Sequence, residues 1–143
     1  GPGPPGGRED RVTEPSLRGA PRPLHILLVE DHVDTADAMS ELLRVLGHRV
    51  TVAGTVGEAL AAAERVQAES GFDLVLSDLG LPDGHGADLM RELKSRYALP
   101  GVAVSGYGTE ADVRRSLESG FSAHLVKPIE VPLLLTAIRD AAG

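Results

Sequence analysis

Four apolar stretches of this chain end in residues that could do chemistry together. Glu30 and Asp31 follow His25-Ile26-Leu27-Leu28-Val29, Asp78 closes Leu74-Val75-Leu76-Ser77, Ser105 closes Val102-Ala103-Val104, and Lys127 follows His124-Leu125-Val126. Three carboxylates gathered in one place repel one another and raise each other's pKa values unless a cation intervenes. All-oxygen ligation by carboxylates, a backbone carbonyl and waters suits magnesium, which keeps part of its hydration shell and favours a phosphate oxygen as partner. Lys127 adds a compact positive charge and Ser105 a hydroxyl donor. An anion with several oxygens satisfies both. Asp78, with a reference pKa of about 3.9, is already an anionic nucleophile at neutral pH and needs no general base. What opposes its attack on a phosphoryl group is charge repulsion, which magnesium and Lys127 offset in an in-line transfer governed by positioning and electrostatics. The expected product is an acyl phosphate on Asp78.

These residues are distant in sequence, so only a fold can gather them. His25 to Val29 is a continuous apolar run between Pro23 and Glu30-Asp31, as expected of a strand buried on both faces. Asp34 or Thr35 is the expected cap of a helix whose apolar positions Ala38, Met39, Leu42, Val45 and Leu46 recur at helical spacing, with Gly47 as its stop. Arg49 to Ala53 reads as a second strand. Val56, Ala59, Leu60, Ala63 and Val66 mark one face of a second helix ending before Gly71. Asp73 to Asp78 is the third strand, and a turn-rich loop from Gly80 to Gly86 leads to a helix from about Ala87 to Arg96. Val102 to Ser105 is the fourth strand, and Thr109 or Glu110 to Ser119 the fourth helix. His124 to Lys127 is the fifth strand, stopped by Pro128, and Val131 to Ala142 the last helix. Strands alternating with helices predict an α/β fold: a five-stranded parallel sheet with helices on both faces, joined by right-handed crossovers. Ligands of such sheets bind at the carboxyl ends of the strands, near the point where strand order reverses. Glu30, Asp31, Asp78, Ser105 and Lys127 all fall on that rim.

The totals exclude several function classes. At 143 residues the chain suits one domain, and 42% hydrophobic with 24% charged residues is ordinary for a globular protein. A net charge of -7 and a pI near 5.1 leave no electrostatic footprint for direct nucleic-acid binding. Cysteine is absent, so no disulfide framework or thiolate zinc site is available. No apolar run reaches membrane-span length and the first residues lack a signal-peptide core, so no membrane contact and a cytoplasmic location are expected. Residues 1–23 are rich in Gly, Pro and charge without periodicity, and read as a flexible linker or tail before a domain over 24–143. No second domain pattern follows Gly143, so output is expected through protein contacts or a parent polypeptide.

Val29-Glu30-Asp31, Ser77-Asp78 with Leu81-Pro82 and Gly86, Val104-Ser105-Gly106 and Val126-Lys127-Pro128 together resemble the motif set of response-regulator receiver domains, over roughly Leu24 to the C-terminus. Each motif alone is weak; all of them in order at the ends of the right strands are highly specific. The resemblance implies a flavodoxin-like (β/α)5 fold with strand order 2-1-3-4-5. It implies Asp78 as phosphoacceptor, and Mg2+ held by Asp31, Asp78 and the Gly80 backbone carbonyl, with Glu30 acting through water. Ser105 is the switch hydroxyl and Lys127 the phosphate-contacting lysine. The phosphodonor is a histidine kinase or a histidine phosphotransfer protein. Gly80 and Tyr107, two places beyond phosphoacceptor and switch hydroxyl, are the positions that set the lifetime of the phosphorylated state. Where family members commonly carry Tyr or Phe at the second switch position, this chain has His124. The stretch Phe121 to Pro128 looks most like receivers fused behind histidine kinases.

Blander readings compete at several positions. Acidic residues at strand ends are often helix caps, and Ser105 before Gly106 can be a plain turn residue. Asp83 reads as a loop residue beside Gly84 rather than a metal ligand. His25, His32, His48 and His85 read as ordinary surface or strand positions, and His124 equally as a partly buried, hydrogen-bonded histidine. Leu133-Leu134-Leu135 is expected to divide between core and packing surface, and the stripe Met39, Leu42, Leu43 and Leu46 is too broad to face the sheet entirely. An aspartyl-nucleophile phosphatase resembles Asp-x-Asp, and the second acidic position here is Gly80. A flavin-binding protein lacks support because no Ser/Thr/Gly-rich phosphate loop follows the first strand. A degenerate receiver acting as a phosphorylation-independent binding module is the alternative that intact Asp78 and Lys127 argue against.

Overall fold

The structure, a computed structural model, describes residues 22–143. All but the last two residues of the expected linker therefore lie outside the described residues. The elements are β1 (His25–Val29), α1 (Val33–Val45), β2 (Arg49–Ala53), α2 (Val56–Gln67), β3 (Leu74–Asp78), β4 (Gly80–Leu81), β5 (Gly84–His85), α3 (Gly86–Tyr97), β6 (Gly101–Ser105), α4 (Glu110–Glu118), β7 (Phe121–Val126) and α5 (Val131–Ala142). Five strands form one parallel sheet in the order β2-β1-β3-β6-β7. With the two-residue strands β4 and β5 set aside, this is the expected 2-1-3-4-5 order. Those two strands pair antiparallel as a small hairpin within what the sequence presents as a turn-rich loop.

Side chains alternate across each strand, which divides the core between the two faces. Leu27, Val29, Val75 and Ala103 pack with Ala59, Ala63 and Val66 of α2 and Leu89, Met90 and Leu93 of α3. Ile26, Leu28, Leu74, Leu76, Val102 and Val104 pack on the other face with Leu43 of α1 and Leu134 and Ile138 of α5. Every residue of β1 is buried, as a strand covered on both sides requires. Within the leucine run Leu134 is fully buried whereas Leu133 and Leu135 are exposed; on α1, Leu43 is buried, Met39 and Leu42 are half-buried and Leu46 is exposed. Both stripes therefore exceed what the core covers.

Two expectations are corrected. Neither Asp34 nor Thr35 caps α1: His32 occupies the N-cap without a side-chain cap bond, and Asp34 lies in the first turn. The Glu30 carboxylate explains the earlier start, because its Oε2 accepts the His32 N–H at 3.0 Å and turns the chain directly into the helix. His48 is not an ordinary surface position. It is buried between α1 and β2, and its Nδ1 accepts the Leu24 N–H at 3.1 Å, satisfying a donor at the head of β1. Burial lowers the His48 pKa. His25 is a strand position as expected, packed 4.5 Å from the Phe72 ring.

Candidate functional site

The strand register brings the rim together. Val29 is level with Ser77, Asp78 with Val104, and Ser105 with Val126, so the carboxyl ends of β1, β3, β6 and β7 lie side by side. The turns off these strands stay tied to the sheet: Glu30 N donates to Ala53 O, Leu79 N to Val104 O, and Lys127 N to Ser105 O. The backbone at Asp78 is further fixed by Gly86. A Cβ there would land on the Asp78 carbonyl oxygen and the Leu79 Cα, so only glycine allows α3 to begin this close to the end of β3.

Oxygen atoms of Glu30, Asp31 and Asp78 lie within 4.8 Å of one another. Their environments differ. Glu30 is buried, with Oε2 accepting the His32 N–H and Oε1 accepting from Lys127 Nζ at 3.1 Å. Lys127 Nζ also donates to Asp78 Oδ2 at 3.0 Å, and the Gly80 N–H lies 3.3 Å from Asp78 Oδ1. Asp31 is exposed beside the pair. Burial works against the Lys127 charge, but the hydrogen bonds and charges of Asp78 and Glu30 outweigh it and hold its pKa above the usual lysine value. The donor set of three carboxylates is all oxygen and fits a hard divalent cation.

A cavity of about 440 Å³ opens over Asp78, lined by Gly80, Ser105, Tyr107 and Lys127, and also by His85 and Asp112. Ser105 reaches this cavity from β6, but its hydroxyl donates to the Tyr107 carbonyl rather than toward Asp78. His124 holds it from β7, with Nε2 2.8 Å from Ser105 Oγ. Thus His124 is a partly buried, hydrogen-bonded histidine on the Ser105 hydroxyl itself. Tyr107 is 75% exposed, and nothing lies within 4 Å of a Cβ placed at Gly80, so the mouth of the cavity is open on that side.

Some participants carry no signal in the sequence. His85, which reads there as an ordinary position, caps α3 by accepting the Ala87 N–H at Nδ1 and faces the cavity. Its pKa is lowered by burial and by the charge of Arg115, against the opposing charges of Asp88 and Asp112. Ser116, fully buried on α4, meets His124 Nδ1 at 3.0 Å. No spacing signals that contact. Asp83 is a loop residue, as expected, and it also holds a helix start. Its carboxylate accepts the Val56 and Gly57 N–H groups at 2.7 and 2.9 Å, tying the loop after Asp78 to the start of α2. These partners stand twenty-seven and twenty-six residues away in the chain.

The family described as response regulator receiver domain matches residues 26–139. The chain belongs to this receiver family. Among relatives, the sensory transduction protein RegX3 of Mycolicibacterium smegmatis is 38% identical over 114 residues, covering 80% of this chain and 48% of that protein. The receiver thus spans about half the length of that relative. A CheY-like receiver domain protein from Methanospirillum hungatei superimposes with a TM-score of 0.73 at 32% identity, over 83% of this chain and 93% of that one. The receiver domain of a sensor histidine kinase from Pseudomonas aeruginosa PAO1, solved with a magnesium ion in its active-site cleft, gives a TM-score of 0.71 at 26% identity over 85% and 99% of the two chains. No helix among the described residues of the receiver is long and apolar enough to cross a membrane.

Proposed function

We propose that this receiver takes a phosphoryl group from a phosphohistidine donor onto Asp78 and answers by a change of shape. The observation that carries this reading is Lys127 Nζ standing between Asp78 and Glu30 at 3.0 and 3.1 Å, at the edge of the carboxylate cluster. In the transfer the donor's P–N bond breaks as a P–O bond forms to the Asp78 carboxylate, and the imidazole leaves with the electron pair. Asp31 and Asp78, with the Gly80 carbonyl, would hold Mg2+ directly and Glu30 through water, and the ion would supply positive charge to the phosphoryl oxygens. Lys127 supplies a second positive charge from β7, and Ser105 is the hydroxyl that turns to a phosphoryl oxygen afterwards.

The donor is a histidine kinase or histidine phosphotransfer protein. A cavity of about 440 Å³ beside the site, lined by Ala38, Met39 and Leu42 of α1 and by Pro128 and Ile129, offers it an apolar seat. Likeness to the sensor-kinase receiver supports a place behind a histidine kinase, and a cytoplasmic location belongs to the same reading. The test is intact-mass spectrometry after incubation with acetyl phosphate and millimolar magnesium. One hydroxylamine-labile phosphoryl adduct is expected, absent in Asp78→Asn; equal modification of that variant would overturn the assignment.

A further inference from the structure

His124 makes hydrogen bonds that a Phe at its place would not. Its Nε2 lies 2.8 Å from Ser105 Oγ and 3.1 Å from the Tyr107 carbonyl, and its Nδ1 lies 3.0 Å from Ser116 Oγ. The chemistry of the partners assigns the protons. A carbonyl oxygen only accepts, so the Ser105 hydroxyl gives its proton to Tyr107 O. Ser105 Oγ is then left as an acceptor toward His124, and it also accepts the Tyr107 N–H at 3.2 Å. Nε2 must therefore carry a proton, which it shares between Ser105 Oγ and Tyr107 O. Nδ1 faces the Ser116 hydroxyl, whose side chain is fully buried on α4 and free to donate to it. Three partners thus hold the Ser105 oxygen away from Asp78.

We infer that His124 is the positioning residue of the switch hydroxyl, latching Ser105 onto the Tyr107 loop at rest, and that Ser105, His124 and Ser116 form one hydrogen-bonded line from the phosphoacceptor cavity to α4. The inference rests on the phosphoacceptor reading of Asp78. For Ser105 to donate to a phosphoryl oxygen it must give up the Tyr107 carbonyl and loosen its hold on Nε2. The ring then keeps Tyr107 O as its acceptor, and the change reaches α4 through Ser116 without any need for the ring to swing inward. A polar exchange of partners replaces a movement of bulk. Neighbouring hydrogen bonds in such a line polarise one another, so the links strengthen or weaken together.

Two measurements test this. First, phosphorylation of Asp78 by acetyl phosphate is followed in wild type, His124→Phe, His124→Gln and Ser105→Ala. Removing the latch should speed phosphorylation about fivefold in His124→Phe, the scale of one net hydrogen bond. His124→Gln, whose amide N–H2 can reach the position of Nε2, should restore the wild-type rate. In a Ser105→Ala background His124→Phe should change nothing, as a double-mutant cycle requires when one residue acts through the other. An unchanged rate in His124→Phe, or the same acceleration without the Ser105 hydroxyl, would overturn the latch.

Second, nitrogen-15 NMR of the unphosphorylated protein should show Nε2 protonated, with the Nδ1 signal shifting in Ser116→Ala. A ring protonated at Nδ1 and bare at Nε2 would overturn it as well. Because this readout needs no phosphoryl group, failure of wild type to be phosphorylated would remove the proposed function while leaving the hydrogen-bonded line to be judged by itself.

Discussion

Lys127 Nζ lies 3.0 Å from Asp78 Oδ2, joining β7 to β3 across the intervening β6. The same ammonium holds Glu30, so one side chain ties three strand ends together and presents a positive charge where a phosphoryl oxygen would arrive. Lys127→Ala should therefore slow phosphorylation of Asp78 by about 10²–10³-fold, the usual loss when one charge-stabilising donor is removed. Lys127→Arg should recover part of it. Because the folded pKa is raised, the contribution of this lysine to stability is fully present below its unfolded value and is lost only as pH rises through the higher folded value. A wild-type thermal unfolding profile that loses this contribution near neutral pH, relative to Lys127→Ala, would contradict the pairing.

The unequal surroundings of Glu30 and Asp31 separate their roles. Both oxygens of Glu30 are already engaged, by His32 N–H and by Lys127, whereas Asp31 is exposed. Asp31→Ala should weaken magnesium binding more than Glu30→Ala does. Magnesium should raise the melting temperature of the wild type, an effect that a chelator reverses. Equal magnesium affinities for the two variants, measured by titration, would contradict this division.

Asp83 fixes the loop after Asp78 to α2. The N–H groups of Gly57 and Val56 hold its carboxyl below the ordinary value of 3.8. The cap is therefore present above the ordinary carboxylate pKa and lost as pH falls through the lowered one. Asp83→Ala should speed amide exchange at Val56 and Gly57 while β1 and β3 stay protected. Unchanged exchange at those two amides would show that the contact has no weight in solution.

The apolar seat beside α1 predicts where a phosphohistidine donor docks. Ala38→Asp and Met39→Asp should slow transfer from a cognate donor about tenfold or more, yet leave labelling by acetyl phosphate intact, because the small donor needs no seat. Parallel loss in both assays would point to damage at Asp78 instead.

The lifetime of a phosphoryl group on Asp78 would depend on how water reaches it. Gly80 offers no side chain to orient it, and the exposed Tyr107 ring lines the cavity without a carboxylate or amide. Tyr107→Glu or Gly80→Asn should shorten the phosphorylated state by about tenfold, or about 1.4 kcal/mol of barrier. Decay is followed after the donor is removed, and slower loss in Tyr107→Glu than in wild type would show that the open mouth of the cavity, not water orientation, controls hydrolysis.

The five strands of the parallel sheet, their pairing and the identity of the rim residues are legible along the chain, while the short β4–β5 hairpin and the early start of β7 at Phe121 are not. Strands buried on both faces read as near-continuous apolar runs, so Leu27 to Val29, Leu74 to Leu76 and Val102 to Val104 announce themselves, and the polar residues that follow each run fall at the sheet's carboxyl edge. Helix starts are less legible where the holding group is not the expected cap: α1 begins at Val33 because the Glu30 carboxylate holds His32 N–H, whereas α2 starts at Val56 as its apolar face announces, on the Thr55 cap, and Asp83 adds a hold from a distant loop. What the polar side chains do with one another is settled by tertiary packing. Nothing in the spacing of Ser105, Ser116 and His124 distinguishes three unrelated polar residues from a hydrogen-bonded line. That line exists because β6, β7 and α4 pack so that three short side chains meet within hydrogen-bonding distance. Apolar burial is written in periodicity along the chain, whereas hydrogen-bond partnership depends on ångström distances between segments that the chain brings together last.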